Sequence, residues 1–165
     1  MSTDQKSNPY KLALFDIDDT LFDFQKSQHV SFHQTMNDHG IHQNLDQLFH
    51  SYKEISFGLW QMFERNEISK EKLRFQRFEL LFMQNQIDAD HLRAADRYLE
   101  LLPKHVFLVD GAAELLLAVS NSVEIGIITN GIHSVQTQRL SNSTLKDFVS
   151  FMVVSDDCGF AKPDP

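Results

Sequence analysis

Hydrophobic and polar positions divide the chain into two textures. Leu12 to Asp16 is a short apolar run of strand type, read as a buried strand, that ends on acids. From about Gln25 to His39 the pattern is helical and stops at Gly40, a residue that ends helices readily. From Leu45 to Phe63 apolar residues fall at Leu45, Leu48, Phe49, Tyr52, Ile55, Leu59 and Phe63, the spacing of one buried helical face. Ser69 is placed to cap a helix reaching about Asn85, with Leu73, Phe78, Leu81 and Phe82 inward. Asp88 is placed to cap a fourth, with Leu92, Ala95, Leu99 and Leu102 on its inner face and Pro103 closing it. The block between Phe22 and Lys104 is therefore read as helical.

After Pro103 the texture changes. Asp110 or Gly111 starts a short helix, AAELLLAV, and VEIGIITNG then gives a β-branched apolar run ending in a turn. Residues from about His133 to Leu140 read as helix, and FVSFMVVSDD as a third strand ending in acids. Strand, helix, strand with short crossovers predicts parallel pairing and an α/β layer architecture.

Composition narrows the classes. The chain has 165 residues, 42% hydrophobic and 23% charged, within the range of globular proteins. A formal net charge of −8 disfavours binding to a nucleic-acid backbone. No apolar run approaches the roughly 20 residues that span a bilayer. The start, MSTDQKSNPYK, has no apolar signal core, and Cys158 is the single cysteine. The expectation is a cytoplasmic protein without a membrane partner.

Ligands of open parallel sheets bind at the carboxyl ends of the strands. Asp16 and Asp18 follow the first strand, Thr129 and Asn130 the second, and Lys162 lies past the third. Two carboxylates, a hydroxyl, an amide and an ammonium suit a phosphoryl group and a divalent metal. Thr129 and Asn130 also suit capping of the following helix, a junction that itself binds phosphate. Asp19 is read as structural or solvent-facing.

These residues carry a resemblance. DIDDT has the Asp-x-Asp-x-Thr form of the first motif of haloacid-dehalogenase-like phosphatases, ITNG looks like their second motif and AKP like their third. The longer match ITNG....QTQRL, with AKPDP at the end, is similar to the 5′-nucleotidase branch. The resemblance implies a Rossmann-like core of residues 1–22 and 105–165 with a helical cap inserted at 23–104. It implies that Asp16 attacks phosphorus and becomes an aspartyl phosphate. Asp18 would protonate the leaving group and later activate water. Mg²⁺ would be held by the Asp16 carboxylate and the Asp18 carbonyl, Thr129, Asn130 and Gly131 would contact the phosphoryl group, and Lys162 would neutralise its charge. The implied substrate is a small phosphomonoester, a pyrimidine nucleoside 5′-monophosphate first and a sugar phosphate second. The family's dehalogenases lack an acid at the position of Asp18, which disfavours carbon–halogen cleavage.

The family's fourth, acidic motif does not occur before Pro165. The expectation is a core sheet incomplete at its C-terminal side, with the first strand as an exposed apolar edge open to self-association. A catalytically disabled remnant is the corresponding alternative function. Two residue types point elsewhere. His29 and His33 have ligand spacing, but no cysteine cluster or His-Glu-x-x-His pattern accompanies them, so no histidine metal site is expected. Most of the 14 phenylalanines should be core, with Phe22 or Phe24 as candidates to touch a nucleobase.

Overall fold

The computed structural model describes Pro9 to Pro163. Met1–Asn8, most of the stretch read as lacking a signal core, and Asp164 and Pro165 of AKPDP lie outside these residues. In chain order the elements are β1 (Leu12–Phe15), α1 (Phe24–Asp38), α2 (Leu45–Glu64), α3 (Lys70–Gln84), α4 (His91–Leu101), α5 (Ala112–Ser120), β2 (Glu124–Thr129), α6 (His133–Ser141), β3 (Phe151–Val154) and α7 (Ser155–Cys158). Short 3-10 turns cover Leu102–Lys104 and Lys146–Phe148. The chain forms two compact units, one running to Phe24 and resuming at Val106, the other Gln25–His105. Among the described residues no helix is long and apolar enough to cross a membrane.

The first unit is α/β. Its three strands are parallel in the order β1-β2-β3, with Leu14 opposite Gly126 and Gly126 opposite Phe151. Ile125 and Ile127 of β2 point into a core with Ile17, Leu21, Phe22, Ala112, Leu116 and Leu145. Successive strand side chains alternate between faces, so Leu12, Leu14, Ile128, Phe151 and Val153 share the other face. There Leu14 is 50% and Val153 38% exposed. The first strand is therefore the exposed apolar edge expected of it, covered on one face, and the reading of Leu12 to Asp16 as buried is corrected for the other face. Leu14 and Phe151 close over Gly126, where a Cβ would lie 2.4 Å from the Phe151 ring. The third strand also starts later than its apolar run, at Phe151, and Asp156 and Asp157 sit on α7, not at the strand's end.

The second unit is helical. Its core joins Phe32 and Met36 of α1, Phe49 and Tyr52 of α2, Phe78 and Leu81 of α3, and Tyr98 of α4, all buried. Ring centroids lie 4.9 Å apart for Phe32–Tyr52, 5.1 Å for Tyr52–Phe78 and 5.5 Å for Tyr52–Tyr98. Arg77 is buried among them, its guanidinium 4.9 Å from the Tyr98 ring. Desolvation holds the Tyr98 phenol well above its ordinary pKa. Ser69 caps α3 as its position predicts, its hydroxyl accepting from Lys72 N at 3.1 Å. The cap of α4 is Asp90, not Asp88, with Oδ1 accepting from Leu92 N and Arg93 N. That later start rotates the buried face to Ala94, Ala95, Tyr98 and Leu101, and leaves Leu92 exposed.

Candidate active site

Beyond β1 the chain turns tightly. Leu21 N and Phe22 N both donate to the Ile17 carbonyl, and Asp19 N to that of Phe22. This turn carries Asp16 and Asp18 on the same end of the sheet as the end of β2, because the two strands run parallel in register. Asp19 adopts the left-handed conformation at φ 54°, and its Oδ1 accepts from Phe24 N, the first residue of α1. Its side chain serves the helix start, in keeping with a structural reading.

Asp16 Oδ1 accepts from Lys162 Nζ at 2.7 Å, and Nζ also donates to the Ile128 carbonyl at 2.9 Å. Among the described residues Oδ2 of Asp16 has no hydrogen-bond partner. Lys162 is aimed by Asn130. Its backbone N–H donates to Asn130 Oδ1 at 2.8 Å, and its carbonyl accepts from Asn130 Nδ2 at 2.9 Å. The second and third sequence motifs are thus joined through the amide of Asn130, which holds the lysine while Nζ holds the carboxylate.

Thr129 ends β2 and is buried. Its Oγ1 accepts from Gly131 N at 3.2 Å and from Gln136 Nε2 at 3.0 Å. A hydroxyl has two lone pairs and one proton. With both lone pairs occupied, the proton is what Thr129 retains to donate. Gly131 is needed for this arrangement, because a Cβ there would lie 2.3 Å from Gln136 Nε2 and 2.6 Å from Gln136 Cγ.

Both oxygens of Asp18 are held. Oδ2 accepts from Gln136 Nε2 at 2.7 Å, and Oδ1 accepts from Arg139 Nη1, which also donates to Gln136 Oε1 at 2.8 Å. Arg139 is 1% exposed, with its guanidinium 5.0 Å from the Phe22 ring and 5.4 Å from the Phe24 ring. Its Nε and Nη2 find no partner among the described residues. A cation this deep is tolerated only when paired, and Asp18 is the pair.

The sequence reading missed Gln136 and Arg139 as site residues. The signal was present, since QTQRL sets them three apart on one face of α6. Two further expectations are corrected. Phe22 is fully buried and lies under Arg139, so its ring is not open to a base. Thr129 and Asn130 do not cap α6. Its N-cap, Ile132, has no side-chain cap bond, and Asp156 Oδ2 accepts from His133 N at 3.0 Å while Asp157 Oδ2 lies 2.8 Å from His133 Nδ1.

Residues 13–165 match the model of the haloacid dehalogenase-like hydrolase family. The chain belongs to that family. Among its relatives is the HAD-hydrolase YfnB of Bacillus subtilis, 32% identical over 93% of this chain and 65% of YfnB. A crystal structure of YfnB bound to magnesium superposes with a TM-score of 0.87, covering 93% of this chain and 69% of that one. Two others are described as pyrimidine 5′-nucleotidases. PynA of Streptococcus pneumoniae is 31% identical over 94% of this chain and 65% of its own length. YjjG of Escherichia coli is 28% identical over 91% and 64%. The chain thus spans just under two thirds of the length of these curated relatives. The family assignment agrees with the α/β core and the site motifs.

Proposed function

We propose that this protein is a hydrolase that cleaves phosphomonoesters through an aspartyl-phosphate intermediate, with a pyrimidine nucleoside 5′-monophosphate as substrate. The observation that carries the reading is the pair of differently treated acids. Asp16 keeps an oxygen without a partner beside the Lys162 ammonium, and Asp18, two residues on, is held at both oxygens. A nucleophile needs a free oxygen, and hydrogen bonds at both oxygens fix the direction of the second acid. The two relatives described as pyrimidine 5′-nucleotidases support the substrate class.

Asp16 Oδ2 attacks phosphorus, and the bond to the leaving alkoxide breaks. Asp18 protonates that alkoxide. In the arrangement seen both Asp18 oxygens accept, so its acid form requires Gln136 or Arg139 to release one of them. In the second half Asp18 takes a proton from the water that attacks the aspartyl phosphate, restoring Asp16 and yielding phosphate. The Thr129 hydroxyl and the Lys162 ammonium receive the phosphoryl oxygens, whose charge such donors stabilise in the transition state.

The donor set fits Mg²⁺. The Asp16 carboxylate and the Asp18 backbone carbonyl supply hard oxygens, and that carbonyl accepts no hydrogen bond among the described residues. These two would hold the ion, which when bound supplies charge that offsets repulsion between Asp16 and the phosphate. The test is phosphate release from a panel of phosphomonoesters with Mg²⁺, beside Asp16→Asn. Release that falls to background in Asp16→Asn and is fastest with pyrimidine nucleotides is expected. Equal or faster turnover of sugar phosphates would overturn the substrate. No release from a folded chain would overturn the activity and leave the disabled remnant.

A further inference from the structure

His29 and His33 lie four residues apart on α1, and Asp46 lies in the first turn of α2. His33 Nδ1 is 2.9 Å from the His29 carbonyl oxygen. A carbonyl only accepts, so that nitrogen carries the proton. In the neutral ring the lone pair is then on Nε2, and Nε2 is 3.2 Å from Asp46 Oδ1. His29 Nε2 faces the same oxygen at 3.7 Å, and the two rings are 4.0 Å apart at their centroids. One divalent ion serves all three atoms.

The geometry suits such an ion. The three ligand atoms all lie within 4.8 Å of one another. Tetrahedral Zn²⁺, with bonds of about 2.0–2.1 Å, holds its ligands about 3.3 Å apart. The two distances to Asp46 stand at 3.2 and 3.7 Å. The imidazoles are already braced, since Phe49 meets the His29 ring edge-on at 5.0 Å and the His33 ring at 5.8 Å. His33 is oriented through its other nitrogen, as metal-bound histidines usually are. Its side chain is 19% exposed and that of Asp46 92%, so the site pairs a largely buried imidazole with a solvent-exposed carboxylate. The donors line an open hollow of about 620 Å³ with His42 and Asn44, which admits water to the remaining positions.

We infer that His29, His33 and Asp46 form a surface site for a borderline divalent transition cation of the Zn²⁺ type. Two imidazoles prefer such ions to Mg²⁺, so the site is separate in chemistry from the oxygen donors Asp16 and Asp18. It is independent of the proposed hydrolysis.

The test is calorimetric titration of the full chain with Zn²⁺ in excess Mg²⁺, which occupies the oxygen donors. One strong Zn²⁺ site per chain is expected, retained in Asp16→Asn and in His50→Gln, a control for the exposed His50–Glu54 pair. His33→Gln should weaken it by more than about tenfold, since loss of even a supporting residue costs that much, and Asp46→Asn should weaken it too. Nitrogen-15 spectra of the histidine rings should show Zn²⁺ shifting Nε2 of His33 while its Nδ1 stays protonated. Zn²⁺ affinity that is unchanged in His33→Gln and Asp46→Asn, or weaker than millimolar in the wild type, would overturn the site.

Discussion

Each unit of this protein buries one arginine, and the two are kept in opposite ways. Arg139 in the α/β unit is paired with Asp18 and bonded to Gln136. Arg77 in the helical unit donates from Nε to the Arg74 carbonyl at a long 3.4 Å and otherwise lies against the rings of Tyr52, Phe78 and Tyr98. Its Nη2 has no partner among the described residues. The first arginine spends its charge on one carboxylate and so fixes that carboxylate's direction. The second is held by aromatic faces, which tolerate a range of positions. A buried charge with a carboxylate partner therefore marks the reacting end of the molecule, and a buried charge among rings marks packing.

The largest expected effect is Arg139→Met. Losing the contact that aims Asp18 should remove most of its acid–base contribution, about 10²–10⁴-fold in kcat, with little change in KM and partial recovery in Arg139→Lys. Next is Gly131→Ala, which leaves Arg139 in place but displaces Gln136. A misplaced catalytic group costs up to about a hundredfold, read again as kcat, while the denaturation midpoint stays near wild type. Arg77→Met should behave differently, with kcat unchanged. Losing cation–π contacts costs roughly 0.5–2 kcal/mol, and removing an unpaired buried donor returns a similar amount. Urea unfolding should place this variant within about 1 kcal/mol of wild type, and a larger loss would show that Arg77 has a partner of its own.

The smallest effect concerns pH. Burial, with Lys104 and Arg97 nearby, lowers the pKa of His105 below the ordinary value of 6.5. The unfolded chain then takes up the proton before the folded one does. Stability from this group is complete above about pH 6.5 and declines as pH falls toward the lowered value. Comparing His105→Gln with wild type across pH 5–8 should show the variant's stability curve flatter in that window.

The elements were legible because each had a local cause. The face of α3 was written in Leu73, Phe78, Leu81 and Phe82, all buried, and the Ser69 cap in one residue. The α4 cap was not, because Asp88 and Asp90 both suit an N-cap and only the burial of Ala94 and Tyr98 chooses between them. The apolar run at Leu12 reads locally as a buried strand, although run composition carries no record of which face is covered. At the site, motif spacing supplied Asp16, Asp18, Thr129 and Lys162. It set Gln136 and Arg139 on one face of α6 without assigning them a role, because that role depends on reaching back across 118 and 121 residues to Asp18. The same holds for Asp46, which meets His33 only once two helices lie side by side.

The clasp between Asn130 and Lys162 has a consequence for chemical ageing. Asn followed by Gly is a pair in which the backbone nitrogen readily attacks the side-chain amide, closing a succinimide and releasing ammonia. Here the amide is engaged at both ends by Lys162, and Gly131 N is turned toward Thr129. Folding thus shields the bond, and each excursion into the unfolded state exposes it. Hydrolysis of the ring leaves aspartate or isoaspartate, and an acid oxygen then faces the Lys162 carbonyl where an N–H donor stood. A sample stored warm should lose its lysine clasp in proportion to time spent unfolded, and refolding does not restore it.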